Sequence, residues 1–343
     1  VMEFGSRRAQ GYSAATIGAR AAYIGGVAGT ACTISDELYG VPALGTMAHS
    51  WVQLFDSEYE AFKAYAEVYP DKSLFLVDTY DVLKSGIPNT IKVANEVLKP
   101  LGCRPLGIRI DSGDITYLSK RARKMLDAAG YPDCSICISN SLDEYLIRDM
   151  LMQGAKIDSF GVGERLITAS SDVNLLDLTE KTDTNDLFTR SYPVGNKHTV
   201  ENGKLIPKIK LSENTSKITL PGFKQCWRLF DRESGKAIAD VITLRDEKID
   251  DTGEYDLFDP EFTWKRKIVS GFIARPLQVP IFNKGELVYK SPSATAIKEY
   301  REQQVESLWE EVQRFEKPHK YYVDLSQKLW DLYTDMLKRN TMK

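Results

Sequence analysis

Leu106-Gly107-Ile108-Arg109-Ile110-Asp111-Ser112-Gly113-Asp114 passes from an apolar run into a polar turn, and an amphipathic stretch over residues 115–129 follows it up to Gly130. The run has strand length, the stretch has helical periodicity, and Gly130 stands where a C′ glycine ends a helix. The same unit recurs outward in both directions. Residues 1–3 lead into Phe4-Gly5-Ser6-Arg7-Arg8, and residues 23–27 lead into Gly29-Thr30. Residues 41–44 lead into Gly45-Thr46-Met47-Ala48-His49-Ser50, and residues 74–77 into Asp78-Thr79-Tyr80-Asp81. On the far side residues 136–139 lead into Asn140-Ser141, and residues 159–162 into Gly163-Glu164. Further helices are expected at 13–23, 57–69, 88–99 and 142–153. Ser57 is a candidate N-cap, Pro88 suits a first turn, and Asp143 and Glu144 complement a helix dipole. Alternating strand and helix predicts an α/β fold with parallel strands and right-handed crossovers, specifically a barrel, whose chemistry gathers at the carboxyl ends of the strands.

Bulk properties narrow the function classes. The chain has 343 residues, of which 43% are hydrophobic and 27% charged, with a net charge of -3. It is long enough to bury a full barrel core, and its charge balance gives no electrostatic footprint for nucleic acid or an anionic membrane. No apolar stretch approaches the ~20 residues of a bilayer span, and the expected location is the cytoplasm. Five scattered cysteines fit a reducing compartment. Cys134 and Cys137 fall in a strand-like run, where residues at that spacing face opposite ways, so they read as structural rather than metal-binding.

From about residue 170 the pattern breaks. Residues 170–202 are crowded with Asp, Asn, Thr and Ser. Strand-like runs return at 206–211, 218–220, 226–230 and 237–244. The carboxyl end reads as helical, with one apolar face carried by Val305, Leu308, Trp309, Val312 and Phe315 and another by Leu325, Leu329, Leu332, Tyr333 and Met336. The expected organisation is a catalytic barrel core over 1–169, an irregular segment over 170–204, a β-rich segment over 205–290 and a helical segment over 291–343. Val1-Met2-Glu3-Phe4 reads as the middle of a strand, so the chain is expected to be the later part of a longer protein whose N-terminal domain is missing.

Carboxylates lead the candidate chemistry. Asp78, Asp81, Asp111 and Asp114 end two adjacent strand–helix units, where converging carboxylates suit Mg²⁺, a hard ion that bridges substrate phosphates. Asp81 and Asp114 read as helix caps, Asp78 and Asp111 as the functional pair. Arg109, two residues before Asp111 on one strand, projects into the same cavity. Arg7, Arg8 and Gly161-Val162-Gly163 supply anion-binding parts, the glycines opening a helix whose N–H groups cradle phosphate. His49 reads as a general base or as a nucleophile toward phosphorus. His198 and His319 lie outside the pattern.

In order, Glu3-Phe4-Gly5-Ser6-Arg7-Arg8-Ala9, Gly45-Thr46-Met47-Ala48-His49-Ser50, Leu76-Val77-Asp78-Thr79-Tyr80-Asp81, Gly107-Ile108-Arg109-Ile110-Asp111-Ser112-Gly113-Asp114 and Phe160-Gly161-Val162-Gly163 closely resemble the nicotinate phosphoribosyltransferases. The likeness is dense from residue 1 to about 169 and resumes from Lys208 to the carboxyl end. It implies a type II phosphoribosyltransferase fold, an irregular α/β barrel with a smaller domain. The implied reaction joins nicotinate to phosphoribosyl pyrophosphate, with ATP as co-substrate and Mg²⁺ as cofactor, in NAD salvage. Further implications are transient phosphorylation of His49, Phe4 stacking on the pyridine ring, and Thr46 with Arg109 holding the nicotinate carboxylate. Arg7 would contact phosphate, Asp78 would stand beside the histidine, and Asp111 would lie near the ribose and its Mg²⁺. Gly161 and Gly163 would cradle the 5′-phosphate, and Asn140 is counted with the substrate-binding residues although Ser141 replaces the aspartate that commonly follows it. A homodimer with shared active sites is also implied.

Rival readings remain beside this one. The nicotinamide phosphoribosyltransferases place an aspartate after the Gly-Thr of the second strand, whereas Gly29-Thr30 here precedes Ala31. An inactive remnant that only binds ligand or a partner is an alternative of another class. A generic Mg²⁺-dependent barrel enzyme acting on sugar phosphates is a third. Glu164 stands where many members of the resembled family have threonine, and residues 172–202 depart from its pattern.

Overall fold

Five short apolar runs pair side by side in the computed structural model, which describes residues 1–168, 200–201, 204–211 and 218–341. They are β1 (Met2–Glu3), β2 (Leu74–Leu76), β3 (Gly107–Ile110), β4 (Ser135–Ser139) and β5 (Ser159–Val162), all parallel, in the order β1-β5-β4-β3-β2. The register sets Leu76, Arg109, Cys137 and Ser159 in one row, so the carboxyl ends of these strands open side by side. They belong to the first of two compact units, Val1–Lys181 with Pro292–Arg301; the second is Thr182–Ser291 with Glu302–Lys343.

Two of the seven expected strands are reduced to single bridges, Glu3 with Thr30 and Thr30 with Ala43. Residues 23–27 fail as a strand because the alanine-rich helix α1 (Tyr12–Ile24) runs on through Tyr23. Alanine is the best helix former, and the helix stops only at Gly25-Gly26, where Gly26 takes a φ of 117°. Residues 41–44 contribute one turn of pairing: the Pro42 carbonyl accepts from Thr30 N–H at 3.0 Å, and Leu44 N–H donates to Thr30 O at 2.8 Å.

The expected helices mostly form where their caps lie. After α2 (Ile34–Tyr39) and α3 (His49–Gln53), Ser57 accepts from Glu60 N–H at 3.2 Å to start α4 (Glu58–Val68). Asp114 accepts from Tyr117 N–H at 3.0 Å to start α6 (Ile115–Ala128), and Gly130 beyond it has φ 85°. Asp143 is itself the cap of α7 (Glu144–Met152) rather than a first-turn residue. The helix expected at 88–99 begins earlier. Asp81 accepts from Leu83 and Lys84 N–H at 3.0 and 2.9 Å, and a π-helical turn, Val82–Gly86, leads into α5 (Ile87–Val93) and a second π turn, Ala94–Leu98. Pro88 therefore opens only the regular α part. Asp81 and Asp114 are thus helix caps. α8 (Glu164–Thr168) follows β5, and α9 (Ala294–Glu306) begins in the same unit.

The core of this unit buries Phe62, Phe75, Ile108, Ile110, Ile136 and Ile138 completely. Cys134 and Cys137 are free and buried beside it, and burial pushes the Cys134 thiol up to about 12. Gly86 sits where the helical run crosses the end of β2. A Cβ there would fall on the Val77 carbonyl oxygen and 2.6 Å from Val77 Cβ.

In the second unit β6 (Val200–Glu201) pairs with β7 (Lys204–Leu205). Strands β8 (Lys224–Asp231), β9 (Ala237–Leu244), β12 (Phe272–Pro276) and β15 (Val323–Leu325) form a sheet in the order β12-β8-β9-β15. Two small antiparallel pairs accompany it, β10 (Tyr255–Phe258) with β11 (Arg266–Val269) and β13 (Phe282–Asn283) with β14 (Glu286–Leu287). Residues 206–211 and 218–220, read as strands, have no regular structure. Most of the expected irregular segment, with His198, lies outside the described residues. The carboxyl-terminal helices are also shorter than their apolar faces suggested. The first ends at Glu306 because the Ser307 carbonyl is taken by Ala237 N–H at 2.8 Å, at the start of β9. Leu325 lies in β15, and α10 (Gln327–Thr341) follows. Among the described residues no helix is long and apolar enough to cross a membrane.

Gly86→Ala is expected to destabilise the protein by about 3 kcal/mol, since the obstruction is backbone and cannot rotate away; urea unfolding measures it. A second outcome concerns pH. Asp324 on β15 is 4% exposed, and burial pushes its carboxyl up to about 6, with Asp259 adding to the shift and Lys320 opposing it. The folded state then binds more protons than the unfolded chain between about pH 4 and 6, so Asp324 costs stability as pH rises through that window. Asp324→Asn should be more stable than the wild type at pH 7.5 by about 1–2 kcal/mol. The gain should vanish below about pH 4.

Candidate active site

β3 alternates as a half-buried strand must. Ile108 and Ile110 enter the core, while Arg109 turns to the other face with 16% of its side chain exposed. Three loops at the carboxyl ends of the strands meet its guanidinium. Nε donates to Ser139 Oγ at 2.7 Å, one terminal nitrogen to Thr46 Oγ1 at 2.7 Å, and the other to Asp111 Oδ1 at 2.9 Å. Ser139 Oγ in turn donates to Asp111 Oδ1. A guanidinium carries five N–H groups, so two remain for a ligand.

Beneath it lies Phe4, whose ring centroid is 5.4 Å from Arg109 Cζ, within cation–π range. The ring rests on Gly161: a Cβ there would overlap the ring edge. Gly161 therefore makes room for an aromatic floor. Its neighbour Gly163 keeps its carbonyl for Ile167 N–H at 3.1 Å at the start of α8.

His49 stands at the first turn of α3. Its Nδ1 is 3.1 Å from Thr79 Oγ1, and its Nε2 faces Asp111 Oδ2 at 3.6 Å and Asp78 Oδ1 at 3.8 Å. Asp78 is nearly sealed, its side chain 2% exposed. Its Oδ2 accepts from Asp111 N–H at 3.0 Å and Ser112 Oγ at 2.5 Å, while Oδ1 is buried without a partner. Asp111 is burdened by burial, yet the Ser139 hydrogen bond, the Arg109 charge and hydrogen bond, and His49 together hold its carboxyl below the usual carboxylate range. Two further acids support this arrangement from behind. Glu3, fully buried, accepts from Gly5 N–H and Thr30 Oγ1 and so fixes the turn that carries Phe4. Glu58 accepts from Ser85 and from Asn89, whose amide is 2.9 Å away. Burial raises its pKa and those hydrogen bonds oppose the rise.

Phe4, Thr46, His49, Asp78, Arg109, Asp111 and Gly161 thus come together. Arg7 and Asn140 do not join the hydrogen-bonded cluster: both are exposed. Asn140 and Ser141 have φ of 132° and 41°, backbone that favours glycine, in the turn after β4. Glu164 is 3.6 Å from Arg8 Nε. Ser139, Ser112, Thr79, Glu3 and Glu58 were not anticipated. Ser139 alone left a signal, as a hydroxyl ending an apolar strand that neighbours β3. Among the described residues no three His, Cys, Asp or Glu side chains gather to hold a metal ion by themselves.

The geometry can be set beside known proteins. The family model described as the nicotinate phosphoribosyltransferase (NAPRTase) family matches residues 1–192, and the nicotinate phosphoribosyltransferase C-terminal domain matches residues 223–333. The chain belongs to the nicotinate phosphoribosyltransferase family. The nicotinate phosphoribosyltransferase of Bacillus subtilis (strain 168) is 42% identical over 329 residues, covering 96% of this chain and 64% of that protein. The Dictyostelium discoideum enzyme of the same name is 32% identical over 400 residues, covering 100% of this chain and 64% of that protein. The chain therefore spans just under two thirds of the length of these relatives. The crystal structure of human nicotinic acid phosphoribosyltransferase shares the fold, with a TM-score of 0.72 over 98% of this chain and 70% of that one at 23% identity.

Removing the Ser139 hydroxyl tests the cluster. Ser139→Ala should raise the Asp111 pKa toward the ordinary carboxylate range and cost about 1 kcal/mol of stability at neutral pH. A lowered pKa contributes stability above the unfolded value that is lost as pH falls through the folded one. The difference between variant and wild type should therefore shrink in acid, as read by carboxylate NMR titration and by unfolding at pH 7 and pH 3.

Proposed function

We propose that the chain carries the phosphoribosyl-transfer site of a cytoplasmic, ATP-coupled, ligase-type nicotinate phosphoribosyltransferase. One observation carries the reading: a guanidinium with two N–H groups free, above an aromatic ring and beside paired carboxylates and an imidazole. A flat aromatic acid meets both of its needs there, the ring on Phe4 and the carboxylate at Arg109 and Thr46. We read the parallel sheet as the main part of a barrel wall, and a homodimer with shared sites as the working assembly.

In the transfer, the pyridine nitrogen lone pair forms a bond to ribose C1 as the C1–O bond of phosphoribosyl pyrophosphate breaks and pyrophosphate departs with the bonding pair. Arg109 and Phe4 orient the ring so that its nitrogen is presented to C1. Arg7, Asn140 and the Gly161-Val162-Gly163 turn are assigned to the phosphate side. Two carboxylates without a third ligand suit a Mg²⁺ ion that completes its shell with water and phosphate oxygens. Asp111, supported by Asp78 with its unpartnered oxygen, would hold it, and the ion would stabilise the leaving pyrophosphate. His49, with Nδ1 held by Thr79, takes the γ-phosphoryl of ATP, and ADP leaves; water later releases the phosphate.

Nicotinate mononucleotide formation from nicotinate and phosphoribosyl pyrophosphate, stimulated by ATP, is the expected activity of the purified protein. His49→Ala should abolish both the ATP stimulation and protein labelling by γ-labelled ATP, whereas label surviving the substitution would remove the phosphohistidine role. Arg109→Lys should raise the nicotinate KM about tenfold to a hundredfold by losing the forked contact. No nicotinate mononucleotide from the wild-type chain would favour the remnant reading.

A further inference from the structure

The second unit carries a half-open cavity of about 920 Å³ that the proposed reaction does not use. Leu257, Val269, Trp309 and Tyr322 line it, and Asp324 from β15 reaches it. Asp324 is 4% exposed; its backbone pairs with β9, while among the described residues its carboxylate has no hydrogen bond or ion pair. Its acidic neighbours are already matched. Asp259 pairs with Lys320 Nζ at 3.1 Å, a group shared with Glu261 at 3.2 Å. Asp240 on β9 is closed by Arg228 at 2.8 and 2.9 Å and by the Tyr321 hydroxyl at 2.9 Å. Arg266, at the cavity wall, is bound to Asp256. Buried carboxylates are ordinarily paired or hydrogen-bonded, and Asp324 is neither.

We infer that this cavity binds a flat organic cation, an amidinium, guanidinium or ring-bearing ammonium, whose charge is received by Asp324 and whose face is covered by Trp309 and Tyr322. A carboxylate offers a forked acceptor to such groups, and aromatic walls favour their flat faces. Of the cationic side chains in the lining, Lys320 and Arg266 are engaged with carboxylates and Lys265 lies over the Phe262 ring at 4.2 Å, so an anion would have Lys267 to meet it and the Asp324 charge to oppose it. A metal ion would have to displace Lys320 from Asp259 to gain a second carboxylate beside Asp324. The inference is independent of the reading of the first unit.

Benzamidine is the probe, with its neutral isostere benzamide and the anion benzoate as controls, titrated by calorimetry and by tryptophan fluorescence. Benzamidine should bind at least about tenfold more tightly than benzamide, the factor expected for one charge-assisted hydrogen-bonding pair. Asp324→Asn should remove that preference, and Trp309→Phe should remove the fluorescence change. Asp324→Asn is expected to be more stable than the wild type, so its loss of binding cannot be unfolding. Asp111→Asn should leave benzamidine affinity unchanged, which separates this cavity from the carboxylates beside His49. Equal affinity for benzamidine and benzamide would overturn the inference. So would an affinity unchanged in Asp324→Asn, or the absence of benzamidine binding.

Discussion

The hydrogen bonds of Arg109 tie the strand ends of the first unit together. A largely buried guanidinium without partners costs several kcal/mol, so the loops that satisfy it are fixed as firmly as the charge itself. Ser139 comes from the end of β4, Asp111 from the turn after β3, and Thr46 from the turn after the bridge at Ala43. Asp78 extends the lattice to the end of β2 by accepting from Asp111 N–H and Ser112 Oγ. Four turns remote in sequence are thereby held in one geometry by two charged side chains.

A steric constraint completes the arrangement from the opposite edge. Gly161 must lack a Cβ for the Phe4 ring to pack against β5, and Glu3 must be a carboxylate to hold Gly5 N–H and the Thr30 hydroxyl together. Sheet pairing alone would not aim that ring, because β1 is only two residues long. Its direction comes from the buried acid behind it. Glu58 plays the matching part under the Asp78 turn, where it organises Ser85 and Asn89.

Where the sequence was legible, one physical signal dominated each segment. β3 and β4 are apolar runs of the right length, and Ser57, Asp81 and Asp114 carry caps that bond as such residues do. Residues 23–27 misled because alanine-driven helix propensity outran a short apolar pattern. The carboxyl-terminal faces misled because Ala237 and the parallel pairing of Asp324 with β9 claim backbone that periodicity assigned to helices. The candidate site was legible in its charged and glycine residues, which stand out at strand ends. Apart from Ser139 at the end of an apolar run, its hydroxyls and supporting acids were not, since such a residue announces itself only through the partner that the fold delivers. Gly161 shows a subtler gap: its sequence context pointed to a phosphate turn, while its structural neighbour is an aromatic ring.

The two carboxylates that face His49 are not equivalent, and the difference bears on what the site can accept. Asp111 has its charge met by Arg109 and Ser139, so it stays ionised at little cost. Asp78 has both hydrogen bonds on Oδ2 and none on Oδ1, which lies buried 3.8 Å from His49 Nε2. A buried acceptor left unmade costs about 1–3 kcal/mol. That distance is too long for a hydrogen bond, so a small shift of the imidazole or an arriving hydroxyl would recover the cost. Asp78 Oδ1 is thus the acceptor that the protein's own donors leave available where the histidine and the two carboxylates meet, and a donor group brought there would be held by both Asp78 and Asp111.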